Sequence, residues 1–127
     1  MLIRDLWDLP EFTAGDGTIL REILNGATEP LALRYSLAHA ALPPGGVSLR
    51  HRLDVSEVYH ILSGEGTMHV DAEARPVRPG QTVYIPPGAV QRIENRGAGD
   101  LTFLCIVDPA WTPAVETVLE GPPGGGR

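Results

Sequence analysis

Cysteine occurs once in this chain, as Cys105, so no internal disulfide can staple the fold. Positive charge is also scarce: the formal net charge is −6 over 127 residues, which argues against a nucleic-acid surface or an anionic membrane as partner, since both would repel it. No long apolar run is present near the start, where Arg4, Asp5, Asp8 and Glu11 interrupt any stretch resembling a signal peptide or a membrane span. The expectation is therefore a soluble, cytoplasmic protein. There is no phosphate-cradling glycine loop opening a helix, no cysteine pair for structural zinc, and no Gly-x-Ser-x-Gly nucleophile motif. Internal repeats are absent too.

What the chain has instead is punctuation. Fifteen Gly and twelve Pro divide it into short pieces and leave little room for helix. Pro-Gly and Gly-rich turns alternate with Val, Ile, Leu and Tyr segments, the pattern of an antiparallel all-β sandwich or barrel. The length suits one domain, over residues 1–119, followed by a flexible Gly/Pro tail at 120–127.

Strands are expected at Thr18 to Leu24 (a short helix is the alternative there), Leu31 to Leu42, Ser56 to Leu62, Thr67 to Asp71, Thr82 to Ile85, Val90 to Glu94 and Leu101 to Asp108. A short closing strand or helix is expected at Trp111 to Leu119, and a turn at Pro76 to Gly80. Gly64-Glu65 reads as a two-residue hairpin loop, because Gly accepts the positive φ that its first position demands. That register would set Ile61 opposite Met68 and His60 opposite His69. Alternation then puts Glu57, Tyr59, Ile61, Met68 and Val70 on one face, and Val58, His60, Leu62, Thr67 and His69 on the other.

Two stretches carry more. The first, Gly45 to Gly64 (GGVSLRHRLDVSEVYHILSG), spaces Gly45, His51, Leu53, Glu57 and Gly64; the second, Gly80 to Asn95 (GQTVYIPPGAVQRIEN), spaces Gly80, Pro86, Gly88, Gln91 and Asn95. Together they resemble the two cupin motifs, whose residue types run Gly, His, His, Glu, Gly and then Gly, Pro, Gly, His, Asn. Leu53 and Gln91 stand where the family has histidines.

The resemblance implies a small cupin: an all-β jelly-roll barrel, or double-stranded β-helix, with one divalent transition metal (Fe, Mn, Ni, Zn or Cu) in its lumen. Carried over by position, His51, Glu57 and Gln91 would be ligands and Leu53 an apolar wall. His39 would supply a fourth donor if the Tyr35, Leu37, His39, Ala41 face is the lumen. Glu57 and Tyr59 would serve proton transfer on a small oxygen-bearing substrate, as in dioxygenases, isomerases, lyases or cyclases of this family. The alternative is a metal-free barrel in which His51, Glu57 and Gln91 bond to one another and the protein is a non-catalytic small-molecule-binding module. A purely structural role is the third possibility. His60 and His69 read as outer-face residues, as does Tyr84, and Cys105 either approaches the lumen beside Phe103 and Val107 or is simply buried. The resemblance also implies a homodimer paired through outer sheets, with the apolar Val58, His60, Leu62 face against the partner and the segment up to Leu24 across the partner or along the sheet edge.

Overall fold

Alternation is visible directly in the longest strands. In Leu101–Asp108 every odd-numbered side chain is buried and the intervening ones are only half covered. The same period runs through Ser56–Ser63, where Glu57, Tyr59 and Ile61 point inward. The computed structural model describes residues 1–120, and the expectation for the Gly/Pro tail lies mostly outside them.

In chain order the strands are β1 (Phe12–Thr13), β2 (Ile19–Asn25), β3 (Ser36–Leu42), β4 (His51–Leu53), β5 (Ser56–Ser63), β6 (Gly66–Val70), β7 (Glu73–Val77), β8 (Thr82–Ile85), β9 (Gln91–Asn95), β10 (Leu101–Asp108) and β11 (Glu116–Val118). They form a six-stranded sheet, β1-β2-β3-β10-β5-β8, and a five-stranded sheet, β11-β4-β9-β6-β7, with antiparallel pairing throughout. Two 3₁₀ turns, Leu6–Asp8 and Pro113–Val115, are the helical content among the described residues. None of these is long and apolar enough to cross a membrane. The fold is all-β, a jelly-roll barrel of two packed layers.

The core between the layers is built from Ala40, Ile61, Ile93, Leu101 and Phe103, each with no exposed surface, together with Leu42, Met68 and Ile85. Burying aliphatic and aromatic side chains of this size is the main force closing the sheets, at about 1.5–3 kcal/mol each.

The hairpin expected at Gly64-Glu65 does not form. β5 pairs with β10 and β8, whereas β6 pairs with β7 and β9 in the other layer, so His60 and His69 are not cross-strand neighbours, nor are Ile61 and Met68. Gly64 does take a positive φ of 84°. Its conformation serves a crossing between sheets: a Cβ there would lie 2.6 Å from the Asp100 carbonyl oxygen. Local turn chemistry was compatible with a hairpin, but non-local partners took both strands. The alternation within each strand survives because it depends on parity alone: Glu57, Tyr59 and Ile61 of β5 are buried, and so is Met68 of β6, now from the opposite layer.

Other boundaries also move. The strand expected from Leu31 begins only at Ser36: Asn25 Oδ1 accepts from the Ala27 amide to open a turn, and bends occupy most of the stretch on to Tyr35. Pro76 lies within β7 and not in a turn. It is tolerated there since β7 is the edge of its sheet, where one side of the strand needs no ladder bond.

Candidate functional site

His51 and Gln91 face each other across β4 and β9 in the five-stranded sheet, while Glu57 and Tyr59 project from β5 in the six-stranded one. The four side chains meet between the layers and are almost wholly removed from solvent. Gln91 Nε2 donates to Glu57 Oε1 at 2.9 Å, and Tyr59 OH donates to Gln91 Oε1 at 3.0 Å. The Gln91 amide is thereby used on both ends. Tyr59 is held in turn by the Phe103 ring, with centroids 4.5 Å apart.

His51 is fixed from behind. Its Nδ1 lies 2.9 Å from the Leu49 carbonyl oxygen, and since a carbonyl can only accept, Nδ1 carries the proton. The other nitrogen, Nε2, faces Asp16 Oδ2 at 3.6 Å and Glu116 Oε2 at 4.0 Å. Asp16 is positioned by a local turn in which its Oδ1 accepts from both the amide and the hydroxyl of Thr18. The Asp16 carbonyl also accepts from the Leu49 amide, so the segment before β2 is tied to the lead-in of β4. Glu116 comes from β11, which pairs with β4.

Burial dominates the electrostatics of this group. It pushes the Glu57 carboxyl up to about 7, with His51 and the Gln91 bond pulling the other way and the charges of Asp16 and Glu116 adding to the rise. The Tyr59 hydroxyl is driven well above its ordinary value, first by burial and then by Glu57. A carboxyl near 7 inside a cavity can both give and take a proton under neutral conditions.

The cavity holding these groups is small, ≈ 50 Å³. Leu53 forms part of its wall, as the sequence suggested, and Phe103, Cys105 and Val107 line it from β10. A wider depression of ≈ 790 Å³ opens beside β7 and β8, but neither histidine nor cysteine lines it. The concentration of buried titratable groups is in the smaller one.

Several expected residues are elsewhere. His39 is on the opposite face of β3 from Ser36 and Ala38, which line the cavity; its ring packs edge-on to Trp7 at 6.2 Å, and Arg21 sits over that Trp7 ring. The Tyr35, Leu37, His39, Ala41 face is thus the outside of the barrel, and His39 is corrected from a candidate ligand to a residue packed under the N-terminal segment. Burial and Arg21 lower its basicity. His60 bonds to Thr82 Oγ1 and His69 to Glu94 Oε1, both on the outer surface, and Tyr84 is exposed. Gln91 reaches the site but turns its NH₂ toward Glu57. Among the described residues, no group of three or more His, Cys, Asp or Glu side chains is assembled as a metal cage.

Asp16 and Glu116 escaped the sequence reading. The Asp16-Gly17-Thr18 turn ahead of β2 is recognisable as turn chemistry, but nothing local says that its carboxylate points at His51. Glu116 needed the β11–β4 pairing to be known.

The cupin domain family model matches residues 38–107, more than half of the chain. An uncharacterised protein of Methanocaldococcus jannaschii is 39% identical over 106 residues, covering 83% of this chain and 84% of its own length. An oxalate-binding protein of Thermotoga maritima is 37% identical over 71 residues, 55% of this chain and 59% of that protein. A crystal structure from Thermotoga maritima described as a predicted oxalate decarboxylase superposes with a TM-score of 0.74 at 25% identity, covering 86% of this chain and 99% of that one.

Proposed function

Since the chain belongs to the cupin family, the lumen is where its chemistry is to be sought, and we propose that it binds a small oxygen-bearing molecule there and acts on it with the help of a divalent transition metal (Fe, Mn, Ni, Zn or Cu) at the His51 end. The observation that carries this reading is the arrangement around His51 Nε2. With Nδ1 donating to Leu49, Nε2 is the ring atom that faces Asp16 Oδ2 and Glu116 Oε2, at 3.6 and 4.0 Å. These separations are too long for hydrogen bonds. Donors each about 2.0–2.2 Å from one shared ion would stand about 3.4 Å apart in a tetrahedron, so the side chains need only close by some tenths of an ångström. A backbone carbonyl holding the far nitrogen of a ligating imidazole is also the usual support for such a ligand.

The donors we assign are therefore His51 with Asp16 and Glu116, which would have to close further around an ion, and Glu57 stands beside them as the proton-handling carboxyl. Gln91 acts as the group that orients Glu57, and Tyr59 as the one that orients Gln91. The ion would supply Lewis acidity toward a bound oxygen. Glu57 holds or releases a proton at the same place, and Leu53, Phe103 and Val107 keep water out. Elemental analysis of protein purified without a histidine tag tests this. One equivalent of metal in the wild type, lost in His51→Ala, is the expected result.

A second reading has its own observation. The bonds from Tyr59 to Gln91 and from Gln91 to Glu57 already satisfy those groups without any ion. In that case the barrel is a metal-free binding module, and small-molecule binding survives complete chelation.

A further inference from the structure

The cavity wall carries an imbalance of charge. Asp16, Glu22, Glu57 and Glu116 line it, against His51 as the one basic side chain among its described lining residues. The chain contains no lysine, and none of its described arginines is part of that wall. Asp16, Glu57 and Glu116 are each under a tenth exposed, so solvent does little to screen them. The acceptors are moreover aimed inward: Asp16 Oδ2 and Glu116 Oε2 converge on the Nε2 side of His51.

We infer that this lumen selects uncharged, hydrogen-bond-donating small molecules and rejects small carboxylates, in contrast to the similar protein named for binding oxalate. The inference rests on the lumen being a small-molecule site, as proposed above, and adds its selectivity. An incoming dianion meets the buried carboxylates of Asp16 and Glu116, with Glu57 adding to them when ionised, and no guanidinium or ammonium among the described lining residues to receive it. Such repulsion is strong in a medium of low dielectric constant. A single divalent ion at His51 offsets the charges of Asp16 and Glu116 without leaving an excess of positive charge, and an ionised Glu57 returns the balance to negative. A neutral molecule bearing N–H or O–H donors meets acceptors it can satisfy. Size narrows the class: ≈ 50 Å³ is room for roughly four waters, hence a ligand of a few non-hydrogen atoms.

Oxalate and its neutral diamide, oxamide, share shape and size and differ in charge, so titration calorimetry with both on the purified wild-type chain isolates the effect. Oxamide should bind at least about tenfold more tightly than oxalate. The double variant Asp16→Asn, Glu116→Gln, checked for cooperative melting, should gain at least about tenfold in oxalate affinity. Oxalate binding to the wild type as tightly as oxamide overturns the inference, whatever the variant does. Oxalate bound only by the variant upholds it even if oxamide proves a poor fit. If neither protein binds either probe, the small-molecule reading of the lumen falls and takes this inference with it.

Discussion

Gln91 Nε2 lies 2.9 Å from Glu57 Oε1, and this hydrogen bond joins one sheet of the barrel to the other. Tyr59 fixes its direction by donating to the amide oxygen. Gln91→Leu leaves the Tyr59 hydroxyl and the Glu57 carboxyl without that partner, and is expected to cost about 2–4 kcal/mol in urea unfolding. Tyr59→Phe, which strands only the amide oxygen, should cost about 1–2 kcal/mol. Equal effects of the two would contradict the order of the chain.

The buried Glu57 carboxyl gives the stability a definite pH dependence. Its folded value of about 7 lies above the ordinary 4.5, so folding favours the protonated form. The contribution is present in full below about 4.5 and is lost as the pH rises through about 7, amounting to ~3 kcal/mol in all. Glu57→Gln keeps an acceptor for Gln91 without the charge. In metal-free protein the variant should therefore be the more stable of the two at pH 8, with the advantage vanishing near pH 4. Parallel pH profiles for wild type and variant would refute this.

Metal content separates the two ends of the chain's histidine inventory. His51→Ala should remove bound divalent metal, and Asp16→Asn or Glu116→Gln should each weaken it by at least about tenfold, or ~1.4 kcal/mol. His39→Ala, His60→Ala and His69→Ala should bind like the wild type, because all three sit outside the lumen. Loss of metal in any of these last three would mean that the ion binds on the surface.

Gly64 and Gly80 share a positive φ, 84° and 89°, but differ in their surroundings. A Cβ at Gly64 would sit 2.6 Å from the Asp100 oxygen, whereas one at Gly80 has open space. Gly80→Ala should cost about 1 kcal/mol for conformation alone, and Gly64→Ala at least ~2 kcal/mol more, since backbone has to move. Comparison of urea midpoints reads the difference directly.

A homodimer is expected because apolar side chains near the N-terminus, among them Leu2, Ile3 and Trp7, are left in solvent in the single chain. Light scattering should give about twice the 13.6 kDa of one chain. A monomer at micromolar concentration would rule this out.

Much of the architecture was legible because its signals are local. Glycine and proline spacing marked the turns of both motifs, and strict alternation sorted Glu57, Tyr59 and Ile61 from Val58, His60 and Leu62. What could not be read was which strands pair. Ser-Gly-Glu-Gly between β5 and β6 is acceptable to a hairpin and to a crossing alike, and only the approach of Asp100 and Leu101, some 35 residues onward, selects the crossing. His39 was ambiguous for a related reason: alternation fixes which residues share a face, but not which face is inside. Asp16 and Glu116 lie beyond both motifs, and their meeting with His51 is a product of long-range topology, on which no local window reports.

The division of the site between two sheets has a mechanical consequence. His51, Gln91 and Glu116 ride on one layer, and Glu57 and Tyr59 on the other. The gap between these groups is set by the thickness of the filling, chiefly Ile61, Met68, Ile93 and Phe103. The barrel is in this respect a caliper. Trimming a core methylene far from the lumen closes the jaws, and a bound ligand that braces them resists that closure, so grip on the ligand and rigidity of the interior rise and fall together.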